Sequence, residues 1–145
     1  MKVHQFAVGF LVALCATLPS SVRLQETLHE HFLRHHVIRS MAPNQCTEKI
    51  SSLNIYEHKG RCKPTNTFIL ATADDVNAVC TTAGRNVREN IFESNNPFNV
   101  IDCTLEQETE PRKCVYNDNE HVVPPQPRRI TVRCEKGVPV HYADN

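Results

Sequence analysis

Six cysteines constrain this chain more than any other feature. Cys46, Cys62, Cys80, Cys103, Cys114 and Cys134 lie inside a sequence of 145 residues, and a seventh, Cys15, sits near the N terminus. An even number in a small exported chain points to a disulfide framework, with 15 pairings open to six cysteines. None of the spacings forms a CxxC or CxxxxC knuckle, so a structural zinc site is not expected. Three bridges matter for stability, because a core of ~120 residues is marginal alone and each bridge adds about 2–4 kcal/mol.

The N terminus supplies the export signal that this reading needs. Met1 and Lys2 precede an apolar run from Phe6 to Leu18, followed by Pro19, Ser20 and Ser21. A run of about 13 residues suits the core of a signal peptide and is too short to span a bilayer. We expect residues 1–22 to be removed, with cleavage between residues 20 and 24, and Cys15 to leave with them. Residues 23–145 then form one domain, with no later apolar run, no glycosylation sequon and no internal repeat.

The remaining pattern predicts helices followed by strands, an α+β chain. Residues Gln25 to Ile38 read as a helix with Leu28, Phe32 and His36 stacked on one inward face; Pro43 ends the segment. Glu48 to Tyr56 reads as a second helix with Ile50, Leu53 and Asn54 inward. Short strands follow at "TFIL" (67–70), "FNVIDCTL" (98–105), "RITVRC" (129–134) and "GVPVHY" (137–142). Alternation in the second of these puts Ile101, Cys103 and Leu105 on one face and Val100, Asp102 and Thr104 on the other. In the third, Ile130, Val132 and Cys134 point inward. Three prolines make "VVPPQP" (122–127) a loop.

The chemistry concentrates in "CKPTNTF" (62–68), which ties Lys63 to a cysteine and follows it with Asn66 and Thr67. RNA cleavage without a metal needs a base for the 2′-hydroxyl, an acid for the leaving 5′-oxygen and a cation for the charge on five-coordinate phosphorus. Histidine suits both proton roles, since its pKa of ~6.5 allows one imidazole to be neutral and another protonated near neutral pH. A histidine on the N-terminal helix, Lys63 and His141 on the last strand complete that set. His31 and His35 also stand at i, i+4 spacing, but no cysteine or acidic partner is evident nearby, and no metal is expected. Arg128, Arg129 and Arg133 read as a solvated strand edge.

These stretches resemble the pancreatic-type secreted ribonucleases, the ribonuclease A superfamily. "CKPTNTF" is similar to the family signature, "HFLRHH" (31–36) to its N-terminal helix motif, and "VPVHY" (138–142) to its C-terminal motif, in the family's order. The resemblance implies a ribonuclease A-like fold with a curved antiparallel sheet and the bridges Cys46–Cys103, Cys62–Cys114 and Cys80–Cys134. It implies His36 as general base, His141 as general acid and Lys63 as the stabilising cation. Thr67 would read the pyrimidine edge, supported by Asp102, with Asn66 beside it in the signature. Glu135 would contact the base beyond the cut bond, and Tyr142 would pack beside the pyrimidine. His35 stands where the family has a phosphate-contacting glutamine. The implied reaction is transphosphorylation on the 3′ side of pyrimidines, without cofactor, and the need for a 2′-hydroxyl restricts it to RNA.

The chain also departs from the usual pattern. The segment between Cys80 and Cys103 lacks a further cysteine pair, "GRNVREN" (84–90) lies within it, and six residues separate Cys134 from His141. These features resemble the angiogenin branch. The chain ends at Asn145 without that branch's C-terminal extension, and "CTEKISSLNIYEHKGRC" (46–62) lacks its arginine run. Ala143 occupies the place of the aspartate that orients the second catalytic histidine, with Asp144 one position late.

Three functions follow from the resemblance: a secreted ribonuclease, an angiogenin-like signalling protein with weak nuclease activity, or a host-defence protein that disrupts membranes. Charge argues against the last. Loss of residues 1–22 removes Lys2 alone, leaving 15 Lys and Arg against 16 Asp and Glu, so the cationic pull on anionic membranes is missing. We expect a monomer with RNA as substrate and no stable membrane insertion. A ribonuclease inhibitor and a cell-surface receptor are the protein partners that the resemblance brings into view.

Overall fold

The computed structural model describes residues 25–110, 113–117 and 125–143; the expected signal segment and Asp144 lie outside them. Three α-helices, three short 3-10 helices and nine strands are present among the described residues. Helix α1, Leu28–His36, is shorter than the pattern predicts. Thr27 caps it: its hydroxyl accepts from the Glu30 amide, and the Glu30 carboxylate accepts from the Thr27 amide. The spacing Thr27-x-x-Glu30 is a start signal readable in the sequence, and it leaves Gln25 and Glu26 outside the helix. At the other end Val37 turns extended, and β1 (Val37–Ile38) begins.

Leu28 does not share the inward face, being 62% exposed, while Phe32 is 1% exposed. The buried side chains of α1, Phe32 and His35, come from its later turns. Helix α2 is Cys46–Ser52 and stops short of Tyr56. Asn54 takes a left-handed conformation (φ 55°) and points to solvent, and Ile55 is buried in its place. Arg34 of α1 donates to the carbonyls of Leu53 and Asn54 at 3.1 and 2.6 Å, satisfying acceptors left at the helix end.

Strand β2 (Thr65–Leu70) lies at the centre of one sheet, parallel to β1 and antiparallel to β5 (Phe98–Glu110). Strand β5 also pairs with β6 (Lys113–Tyr116) and β7 (Gln126–Arg128). Helix α3 (Ala73–Asn77) follows β2. The second sheet has the order β3 (Gly84–Arg88), β4 (Ile91–Ser94), β8 (Thr131–Glu135) and β9 (Val138–Tyr142). Every pair except β1–β2 is antiparallel.

The central strands bury both faces, which explains two corrections. Ile69 and Val100 join Phe32, Ile130 and Val132 in one core, while Phe68 and Ile101 join Ile50, Ile55 and Tyr116 in another. Val100 is therefore buried, although alternation with Asp102 and Thr104 places it outward. A strand covered on both sides does not alternate. The predicted loop at 122–127 is also overturned at its end, because Gln126 and Pro127 belong to β7; residues 122–124 lie outside those described. Pro127 sits on an edge strand, where a missing N–H is tolerated.

Three disulfides, Cys46–Cys103, Cys62–Cys114 and Cys80–Cys134, join these layers. The first ties α2 to β5 and the second ties the segment just before β2 to β6. The β8–β9 hairpin closes through Lys136 and Gly137, both with positive φ (53° and 79°), between the paired Glu135 and Val138. Gly137 relieves the steric cost at the second of these positions.

Candidate active site

Helix α1, strand β9 and the segment before β2 meet along a cleft of about 390 Å³ that His35, His36, Lys63, His141 and Tyr142 help to line. One contact aligns the helix with the last strand. His29 donates through Nδ1 to the carbonyl of Pro139 at 2.9 Å, two residues before His141. The i, i+7 relation of His29 to His36 is the sequence signal that both lie near one side of the helix.

His36 Nδ1 lies 2.9 Å from the carbonyl oxygen of Thr67. A carbonyl only accepts, so this nitrogen carries the proton in the neutral ring and Nε2 keeps its lone pair. Phe32 packs at 5.3 Å on one side of the ring and Tyr142 stacks at 5.2 Å. Burial and then the Lys63 ammonium hold the imidazole down to about 3, so the neutral ring is the resting form.

Lys63 is restrained from three directions. Cys62 beside it is bridged to Cys114. The Tyr116 hydroxyl donates to the Lys63 carbonyl at 2.6 Å, and the Lys63 ammonium donates to Asn66 Oδ1 at 2.8 Å. Asn66 is buried and donates through Nδ2 to the His35 carbonyl at 2.9 Å, so it joins β2 to the end of α1. Burial lowers the Lys63 ammonium to about 8, which still leaves most of it charged at neutral pH. Tyr116 was not read as a site residue; its place two residues after the partner of Cys62 is the clue.

His35 is 4% exposed, more buried than a position at the rim of the cleft would be. Its ring stacks on His31 at 3.9 Å, and burial and Lys63 hold it down to about 3. His31 in turn approaches Glu26 Oε1 at 3.3 Å, an acidic neighbour that the sequence pattern did not reveal. Among the described residues no group of three or more His, Cys, Asp and Glu is placed to hold a metal ion.

Thr67 and Asp102 face each other across β2 and β5, and the Thr67 hydroxyl donates to Asp102 Oδ1 at 2.6 Å. Arg128 does not behave as a solvated edge residue. It donates to both oxygens of Asp102, at 2.9 and 3.1 Å, and to the Tyr142 hydroxyl at 3.3 Å. Arg129 donates to the Asn95 carbonyl, whereas Arg133 is exposed opposite His141. His141 itself is exposed on β9, and Glu135 lies exposed at the far end of β8, outside the lining of the cleft.

Among the described residues no helix is long and apolar enough to cross a membrane. Comparison with known proteins agrees with the fold. Residues 27–143 match the sequence model of the pancreatic ribonuclease family. The chain is 34% identical to Ribonuclease-like 3 of Danio rerio, covering 98% of this chain and 96% of that protein. Among solved structures it resembles zebrafish RNase5 with a TM-score of 0.72 and 37% identity, over 81% of this chain and 93% of the other. Green turtle egg white ribonuclease gives a TM-score of 0.69 and 31% identity, over 82% of this chain and 98% of the other. Helix, signature strand, terminal strand and bridges thus agree with a match that runs through nearly all of the described residues, and the chain belongs to the pancreatic ribonuclease family.

Proposed function

We propose that the protein is a secreted endoribonuclease that cleaves single-stranded RNA on the 3′ side of pyrimidines, residues 1–22 being removed on export. The observation that carries this reading is the bond from His36 Nδ1 to the Thr67 carbonyl. It leaves the lone pair of Nε2 available as a base on a wall shared with Lys63 and His141.

In the proposed reaction His36 takes the proton of the ribose 2′-hydroxyl while O2′ attacks phosphorus. The P–O5′ bond breaks, and His141 gives its proton to the departing O5′. The product is a 2′,3′-cyclic phosphate, which water then opens slowly with the two histidines in exchanged roles. Lys63, held by Asn66 and Tyr116, meets the charge that grows on the non-bridging oxygens. Thr67 reads the pyrimidine edge, Tyr142 flanks the base, and His35 lies beside the phosphate. Glu135 contacts the base on the far side of the cut bond.

Short RNAs of defined sequence test the reading. Cleavage after C and U should give 2′,3′-cyclic ends, and a single 2′-deoxy substitution at the cut site should block it. Cleavage after purines at equal rate, or cleavage at the deoxy site, would contradict it.

A further inference from the structure

We propose that Arg128 is a specificity-positioning residue that biases the base site towards uracil. The proposal rests on the reading of Thr67 as the residue facing the pyrimidine edge. It starts from the linked contacts Arg128 to Asp102 to Thr67.

A threonine hydroxyl has one proton to give and lone pairs to offer. Here the proton is given to Asp102 Oδ1 at 2.6 Å, a short charge-assisted bond. What remains for a base is an acceptor. Uracil presents N3–H, a donor, to such an edge; cytosine presents a bare N3, an acceptor. Uracil therefore binds with the existing arrangement, whereas cytosine requires Thr67 to withdraw its proton from Asp102 and turn it to the base.

Arg128 decides how firmly that proton is committed. The Asp102 side chain is 55% exposed and would otherwise exchange rotamers and water partners. The guanidinium grips both carboxylate oxygens, a planar fork that fixes orientation as well as charge. Contact with Arg128, and secondarily the Thr67 hydroxyl, holds the Asp102 carboxyl below its ordinary range, so it stays an acceptor only. The same guanidinium reaches the Tyr142 hydroxyl at 3.3 Å, and the Tyr142 ring stacks on His36. Arg128 thus orients groups on two sides of the place where the base would lie, without lining the cleft itself.

The test compares kcat/KM for the dinucleotides UpA and CpA, with ApA as a purine control. The wild-type protein should favour UpA over CpA. Arg128→Met should lower the UpA to CpA ratio about fivefold, the worth of one net hydrogen bond, and Arg128→Lys should recover only part of it. In an Asp102→Ala background, Arg128→Met should leave the ratio where Asp102→Ala put it, because the effect passes through the carboxylate. Equal losses on UpA and CpA, a wild-type preference for CpA, or an undiminished Arg128 effect without Asp102 would overturn the proposal. Equal cleavage of ApA would instead remove the pyrimidine reading beneath it.

Discussion

The hydroxyl of Tyr116 lies 2.6 Å from the carbonyl oxygen of Lys63, on a segment that the Cys62–Cys114 bridge already pins. The backbone that carries Lys63 is thus fixed by a covalent and a polar tie, and its ammonium by Asn66. If that ammonium meets charge growing in the transition state, Lys63→Ala lowers kcat by about 10²–10³-fold with little change in KM. Tyr116→Phe keeps the buried ring but removes the tie, and should lower stability by about 1 kcal/mol. Its loss of kcat should be well short of that of Lys63→Ala. Steady-state kinetics and urea unfolding separate the two effects.

The pH dependence of kcat/KM reports the free enzyme. A base must be neutral, and His36 is held down to about 3 by burial and by Lys63. The acid limb of the profile should therefore lie well below the ordinary imidazole value of 6.5. Lys63→Ala removes the second of those causes and should move the limb of the residual activity to higher pH. On the alkaline side, loss of the proton from Lys63 at about 8 should lower the rate as the pH rises through that value.

Stability should follow the buried imidazoles. His35 in the folded protein titrates at about 3, below its ordinary 6.5, so the unfolded chain takes up the proton first as the pH falls. The stability tied to the neutral ring is fully present above about 6.5 and is lost as the pH falls towards the folded value. Urea midpoints measured from about pH 7 down to about pH 4.5 should fall more steeply in the wild type than in His35→Gln. Parallel slopes would mean that His35 is not protected from protonation.

Removing the Cys62–Cys114 bridge by paired Ser substitutions should cost about 2–4 kcal/mol. It should also lower kcat at temperatures where the protein remains folded, since Lys63 loses an anchor. The corresponding change at Cys80–Cys134 should affect stability with a smaller effect on kcat, because that bridge joins the segment after α3 to β8 away from Lys63. A non-reducing peptide map that pairs Cys62 with another cysteine would remove the basis of the comparison.

How much of this was legible in the sequence varied from residue to residue. The even cysteine count made a bridged framework readable, but partners such as Cys46 and Cys103 came from family resemblance, because count alone leaves every pairing open. The strands carrying Thr67, Asp102 and His141 were readable from local pattern. Val100 and Leu28 were misjudged for opposite reasons: the sheet is covered on both faces at Val100, whereas Leu28, in the first turn of α1, stays 62% exposed. Arg128 looked like a strand-edge charge, since Asp102 is 26 residues away in sequence and meets it only through the β5–β7 pairing. His35 falls off the Phe32–His36 line in the sequence, yet the residue is 4% exposed and its ring stacks on His31.

Two adjacent histidines at the end of α1 provide the most direct test of the central claim, that His36 is the base. His36 has its Nδ1 bound to Thr67, whereas His35 is stacked on His31. The measurement is the kcat/KM profile against pH for His36→Ala and His35→Ala on UpA, with circular dichroism to establish folding. His36→Ala should abolish activity and with it the acid limb, while His35→Ala should cost about tenfold, the scale of one contact to phosphate, and keep that limb. A folded His36→Ala protein that remains active, beside an inactive His35→Ala protein, would contradict that claim.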